Sequence, residues 1–207
     1  MFLLNYETVV DPLLRDVRAL TPEFCEMKPG NRVLDVCCGT GAQVLEYGRQ
    51  GIEAIGIDMD PNMLRMAARN RIKRNLLNVS FYLADATALP FPDYFFDYVS
   101  ISLALHDKTS PIRYRVVSEM LRVARPDGAL IFIDYPVPPV SHNWDFFARG
   151  IEFIAGGEHY RGFKDFVAAG GIEDVIKTFD LTEDKRVCLK DGLLVMVAVK
   201  NRRPLQT

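Results

Sequence analysis

The stretch Val33-Leu34-Asp35-Val36-Cys37-Cys38-Gly39-Thr40-Gly41 decides the fold. Arg32 to Cys37 is apolar enough to be a strand buried on both faces, and the glycines after it run straight into a helical segment starting near Ala42. Such a turn points backbone N–H groups of a helix N-terminus at the carboxyl end of a central strand, where a nucleotide-bearing ligand can sit. Alone, Gly39-Thr40-Gly41 needs no more than a tight bend. Asp58, 17 residues after Gly41 at the end of the next strand, adds the residue type and position that accept hydrogen bonds from ribose hydroxyls. The dinucleotide fingerprint requires a third glycine where Val44 stands, which weighs against a dehydrogenase.

Outward from this turn, strand-length apolar runs alternate with segments of helical period. Ala54 to Ile57, Val79 to Leu83, Tyr98 to Leu103 and Ala129 to Asp134 read as four further strands. Asp60-Pro61 opens a helix with Leu64, Ala67, Ala68 and Ile72 inward and Arg65, Arg69, Arg71, Lys73 and Arg74 on the other side, read as a solvated face. Ser110-Pro111 opens another, with Ile112, Val116, Val117, Met120, Leu121 and Ala124 at helical spacing and Pro126-Asp127-Gly128 as its stop. Ile172, Val175, Ile176 and Phe179 suggest a short helix, and the segments 185–189 and 193–199 around Lys190-Asp191-Gly192 read as an antiparallel hairpin. The pattern predicts an α/β fold: a Rossmann-like, doubly wound, mostly parallel seven-stranded sheet with a C-terminal antiparallel hairpin and helices on both faces.

The 207 residues fit one domain, with 1–30 as an N-terminal helical cover and 136–171 as an aromatic insertion able to serve as a substrate lid. Composition excludes disorder: 49% of residues are hydrophobic and 25% charged. A net charge of −2 gives no overall attraction to a phosphate backbone, so no nucleic-acid partner is expected. No apolar run approaches the roughly 18 residues of a membrane span, and Met1 to Leu4 lacks the marks of a secretion signal, so no stable membrane insertion and a cytoplasmic location are expected. Cys25, Cys37, Cys38 and Cys188 show neither a disulfide framework nor metal-ligand spacing. Nothing in the sequence fixes an oligomeric state.

Four ordered motifs, VLDVCCGTG (33–41), GIDMD (56–60), ADATALPFPDYFFDYV (84–99) and EMLRVARPDGALIFID (119–134), resemble the class I S-adenosylmethionine-dependent methyltransferases, specifically the small branch of menaquinone and ubiquinone biosynthesis C-methyltransferases. The resemblance implies S-adenosylmethionine as cofactor. It places Asp35 and the loop Gly39, Thr40, Gly41 around the methionine part, Asp58 on the ribose and Met59 on the adenine. Asp85 would accept from the adenine amine and the Ala86 amide would donate to the ring. The chemistry agrees, since an adenine pocket needs one acceptor, one donor and apolar faces. Asp127 stands where the family often has a second glycine. The Asn- or Asp-Pro-Pro-aromatic motif of enzymes that methylate nucleobases or glutamine is replaced by Ser102-Leu103-Ala104-Leu105-His106-Asp107, which disfavours those acceptors.

Methyl transfer from a sulfonium depends chiefly on alignment and desolvation, and needs a base only if the nucleophile carries a proton. His106, just past the fourth strand, is the imidazole placed for that role; an ordering loop histidine is the equal alternative. Tyr6, Trp144, Phe147, His159 and Tyr160 are candidates for contact with a small-molecule, partly apolar acceptor methylated at carbon or oxygen. The competing expectations are a cofactor-binding pseudoenzyme or regulatory protein and, third, a nicotinamide-dependent oxidoreductase.

Overall fold

The computed structural model describes residues 11–12, 14–137 and 161–202. The chain runs α1 (Arg15–Phe24), β1 (Arg32–Val36), α2 (Ala42–Arg49), β2 (Glu53–Asp58), α3 (Pro61–Lys73), β3 (Val79–Leu83), β4 (Phe96–Ser102), α4 (Ser110–Val123), β5 (Ala124–Asp134), α5 (161–169), α6 (Ile172–Thr178), β6 (Thr182–Leu189) and β7 (Leu194–Lys200). One seven-stranded sheet results, in the order β3-β2-β1-β4-β5-β7-β6. Strands β1 to β5 pair in parallel, and β7 lies antiparallel between β5 and β6. The expected architecture is therefore the observed one, and its order reverses beside β1, where an open α/β sheet forms its binding crevice.

Alternate residues of β1 show why both faces are covered. Leu34 and Val36 pack with Val116, Val117 and Met120 of α4. Val33 faces the other way, onto Val44 and Leu45 of α2. Farther along that second face, Val17 of α1 meets Ile131, Ile133 and Met196. Ser100 stands opposite Asp35 in the β1–β4 register, and its hydroxyl donates to Asp35 Oδ1 at 2.7 Å.

The glycine turn is held from beneath. Gly41 has φ 74°, and a Cβ there would lie 2.6 Å from two Phe81 ring carbons and 2.8 Å from Ala67 Cβ. Gly39 is also left-handed, at φ 53°, but has open space where its Cβ would project. Gly41→Ala is thus expected to lower stability by about 1–3 kcal/mol in urea unfolding. Gly39→Ala should destabilise less and instead weaken whatever binds above the loop; equal losses of stability would show that the packing under Gly41 relaxes freely.

Several local expectations are corrected. The helix α3 buries Ala67 alone; Ala68 and Ile72 are exposed, while Arg71 turns inward and donates to the Val79 carbonyl at 3.0 Å. Leucine-like periodicity was not enough, because α3 covers the edge of the sheet and only a narrow stripe finds a partner. Ile112 of α4 is likewise exposed. Ala124 to Gly128 belongs to β5, not to a loop after the helix: the register shifts opposite Asp97, and the Asn201 side chain ties down the excursion by donating to the carbonyls of Leu121, Ala124 and Arg125. Asp127 takes φ 66° there, a conformation aspartate tolerates. Asp97 accepts from the Arg32 amide and pairs with Arg125, a structural role.

Of the aromatic insertion, 138–160 lies outside the described residues, with the candidates Trp144, Phe147, His159 and Tyr160; Tyr6 does too. Its described end is core. Phe163 and Phe166 of α5 are buried, and Gly162 is where α5 touches the Asp107 backbone: a Cβ there would meet the Asp107 carbonyl oxygen at 2.2 Å.

Candidate functional site

A cleft of about 400 Å³ opens at the carboxyl ends of β1, β2 and β4. Its walls bring together five of the eight residues that the sequence nominates for the cofactor: Gly39, Asp58, Met59, Asp85 and Ala86. Asp58 ends β2 with both oxygens directed at backbone: Oδ2 accepts from the Gly39 N–H at 2.8 Å and Oδ1 from the Asp60 N–H at 2.9 Å. Each oxygen retains a second lone pair, so the same carboxylate can shape the loop and accept from a diol. Next to it Met59 is 67% exposed, an apolar face left open at the cleft wall.

Across the cleft, Asp85 Oδ1 accepts from the Thr87 amide at 2.8 Å and hydroxyl at 2.9 Å. Those hydrogen bonds hold its carboxyl below the usual range and keep it an acceptor. Ala86 is buried at the cleft wall, and its N–H forms no hydrogen bond among the described residues.

The other three nominated residues stand behind the loop. Asp35 is 3% exposed; burial, partly offset by Ser100 and Arg18, pushes its pKa up to about 7. Thr40 is buried and gives its hydroxyl to Asp11 Oδ2 at 2.8 Å, tying the loop to the segment before α1. Gly41 is packed on Phe81. Their geometry supports the binding surface without reaching it through side chains. Cys37 does reach the cleft, in a left-handed conformation at φ 58°, and burial raises its thiol pKa, so it is no thiolate nucleophile.

His106 is not an open imidazole. Its Nδ1 lies 2.6 Å from Asp134 Oδ1 and its Nε2 3.1 Å from Asp107 Oδ1, and it is 8% exposed, packed edge-on against Tyr135 and Phe163. Burial alone would depress its pKa, but the Asp134 charge and the hydrogen bonds to Asp107 and Asp134 outweigh that and raise it to about 10. At neutral pH it is an imidazolium between two carboxylates and has no site to accept a proton. Of the two readings the sequence left equal, this geometry favours the ordering loop histidine over the base, and the side chain of this loop at the cleft is Asp107, which lines it together with Lys108. Asp134 completes the arrangement by accepting from the amides of Leu105 and His106 at 3.1 and 3.2 Å.

Arg113, with no exposed side-chain surface, fixes this loop from below. It donates to the carbonyls of Leu105 and Lys108, pairs with Asp165 of α5 at 3.0 Å and lies over the Phe166 ring. Sequence reading missed Asp107, Asp134 and Arg113 as a unit. The available signal was topological: β4 and β5 are neighbours, so opposite charges just past their carboxyl ends must meet.

A larger cleft, about 620 Å³, lies at the opposite ends of the strands. Most of its charges are matched, Lys185 with Glu26, Arg125 with Asp97 and Lys200 with Asp184, and the remaining Lys28 and Asp127 are of opposite sign, which leaves it little net pull on a charged ligand.

Together, a Rossmann-like sheet and a cleft offering two carboxylate acceptors, an amide donor, an apolar methionine face and a glycine floor define a protein that binds a nucleoside-bearing cofactor without the pyrophosphate fingerprint. A family described as a methyltransferase domain matches residues 33–128. The demethylmenaquinone methyltransferase of Renibacterium salmoninarum is 38% identical over 121 residues, 58% of this chain and 48% of that one. The ubiquinone/menaquinone biosynthesis C-methyltransferase of Yersinia pestis bv. Antiqua is 34% identical over 174 residues, 77% of this chain and 68% of its own. Among solved structures, the PH0226 protein from Pyrococcus horikoshii OT3 shares the fold with a TM-score of 0.72 at 19% identity, covering 93% of this chain and 91% of that one. The chain belongs to the class I S-adenosylmethionine-dependent methyltransferases, in the branch of the menaquinone and ubiquinone C-methyltransferases. It spans about half to two thirds of the length of the curated relatives it matches.

The cleft residues fit S-adenosylmethionine, the family's cofactor. Asp58 would hold the ribose, Met59 would cover the adenine, Asp85 and the Ala86 amide would pair its edge, and the open space above Gly39 would admit the methionine part.

Proposed function

We propose that the protein transfers the methyl group of S-adenosylmethionine to a ring carbon of a small, partly apolar hydroxyaromatic acceptor of the quinol type. The observation that carries this is the cleft itself, in which Asp58 and Asp85 face an exposed Met59 on one side and Asp107, Ile112 and Leu103 form a mixed polar and apolar wall on the other. The relatives named for quinone biosynthesis support the acceptor class. Bound cofactor supplies an activated methyl carbon on a positively charged sulfur.

The chain's own residues do the rest. Asp58, with the loop amides it organises, aligns the nucleoside, and Leu103, Ile112 and Val116 keep water from the cleft wall. A hydroxyl of the acceptor must lose its proton for the ring carbon to become nucleophilic, and the carboxylate at the cleft that can take it is Asp107. His106, held as a cation by Asp134, orients that carboxylate. The substrate contacts of Tyr6, Trp144, Phe147, His159 and Tyr160 are part of the same proposal.

Two experiments test it. Incubation with S-adenosylmethionine and a short-chain demethylnaphthoquinol should add one methyl to the ring by mass spectrometry, whereas cofactor binding with no transfer to any quinol or phenol would favour a regulatory binding protein. Asp107→Asn should lower turnover by about 10²-fold, the modest end of general-base effects for so acidic a group, and leave S-adenosylhomocysteine affinity unchanged. A turnover loss below threefold would remove Asp107 from the chemistry.

A further inference from the structure

From Pro61 to Ala84 the chain carries five basic residues and no acidic one, although its net charge is −2. Arg71 is turned inward, onto the Val79 carbonyl. The other four, Arg65, Arg69, Lys73 and Arg74, are exposed, and none pairs with a carboxylate among the described residues. At 100° per residue Ile72, Arg65, Arg69 and Lys73 follow one another round one arc of α3 opposite buried Ala67, so an apolar side chain borders a cationic face, whereas Arg74 falls on the Ala67 side and lines another cleft with Glu46 and Arg49.

Apolar exposure gathers on the same side of the molecule. Ile72 is 71% exposed, Leu77 in the following turn 93% and Leu83 on β3, an edge strand of the sheet, 64%, whereas Tyr82 points to the opposite face beside Phe91. A helix solvated for its own sake has no use for Ile72 and Leu77 among its arginines, and a surface shaped only for a polyanion has none either. Cations beside protruding aliphatic residues complement an anionic interface with an apolar layer beneath it.

We propose that the α3–β3 side of the protein is a peripheral docking surface for an anionic lipid bilayer. Arg65, Arg69 and Lys73 meet the lipid phosphates while Ile72 and Leu77 enter the headgroup boundary. The proposal stands on charge and exposure alone and does not depend on which acceptor is methylated. Each basic side chain near an anionic surface multiplies partitioning roughly fivefold, so three give binding roughly a hundredfold over neutral lipid, falling steeply with salt.

Sedimentation with phosphatidylcholine vesicles, with and without about a third of phosphatidylglycerol, tests this. The full chain should pellet with the anionic vesicles and not with the neutral ones. The variant Arg65→Glu/Arg69→Glu/Lys73→Glu should stay in solution, Arg65→Lys/Arg69→Lys should still pellet, and Ile72→Ser/Leu77→Ser should bind several-fold more weakly. S-adenosylhomocysteine should still stabilise every variant, which shows that each is folded. No pelleting of the unmodified chain, or pelleting unaltered by the charge reversals, overturns the proposal. So does binding of duplex DNA as tight as vesicle binding and equally insensitive to Ile72→Ser/Leu77→Ser, which would make this a general polyanion surface.

Discussion

Asp134→Ala is expected to destabilise the protein by about 3–5 kcal/mol, most strongly in mildly acidic buffer. Removing one member of a buried ion pair leaves the other charge without its partner, and that penalty exceeds the modest net worth of the intact pair. Here the abandoned group is His106, 2.6 Å from Asp134 and in contact with Tyr135, Phe163 and Phe166. The pH dependence has a definite sign. The His106 pKa is raised in the fold from 6.5 to about 10, so its contribution is complete below about pH 6.5 and fades as pH rises through the folded value. The difference between the unmodified protein and Asp134→Ala, measured by urea unfolding, should therefore shrink between about pH 6 and pH 10. It should not vanish, because Asp134 also accepts from the backbone amides of Leu105, His106 and Tyr135. Asp134→Asn keeps an oxygen for those amides and isolates the charge. A gap that widened with rising pH would mean that His106 is neutral in the fold.

Asp58→Ala should weaken S-adenosylhomocysteine by at least about 10²-fold. Two hydrogen bonds from a ribose diol to a carboxylate are each worth about 1.5–3 kcal/mol, and the substitution also frees the Gly39 amide, 2.8 Å from Oδ2, from the contact that shapes the loop. Thermal shift with and without ligand reads both effects: a small change in the free protein, and loss of most ligand-induced stabilisation. An Asp58→Ala variant that is folded and binds as tightly as the parent would remove the nucleoside from this side of the cleft.

What the sequence made legible was set by local rules. The glycine turn, the Asp60-Pro61 helix start and the hairpin around Asp191-Gly192 each depend on neighbours in the chain, and each lies where expected. The cleft carboxylates Asp58 and Asp85 were legible for the same reason, since Asp58 ends β2 and Asp85 follows β3. Thr40 and Asp35 were harder: strand position alone does not say whether a polar side chain points at a ligand or, as here, at Asp11 and Ser100. Ile72 illustrates the limit of periodicity, which shows a stripe but not whether anything covers it.

His106 shows the largest gap. Its chemistry depends on Asp134, 28 residues later, and on the buried Arg113 that fixes the loop through α5. An isolated histidine near pKa 6.5 reads as a base. The same histidine between two carboxylates is held in place by them, and the side chain of this loop that lines the cleft is Asp107.

Isothermal titration of S-adenosylhomocysteine into the purified protein, with NADH as the comparison ligand, tests the cleft assignment most directly. One saturating site per chain for S-adenosylhomocysteine, displaced by S-adenosylmethionine, lost in Asp58→Ala and weakened in Asp85→Ala, with no heat from NADH, is the predicted result. Saturable binding of NADH at the same residues, or no binding of either adenosyl ligand by the folded chain, would contradict it.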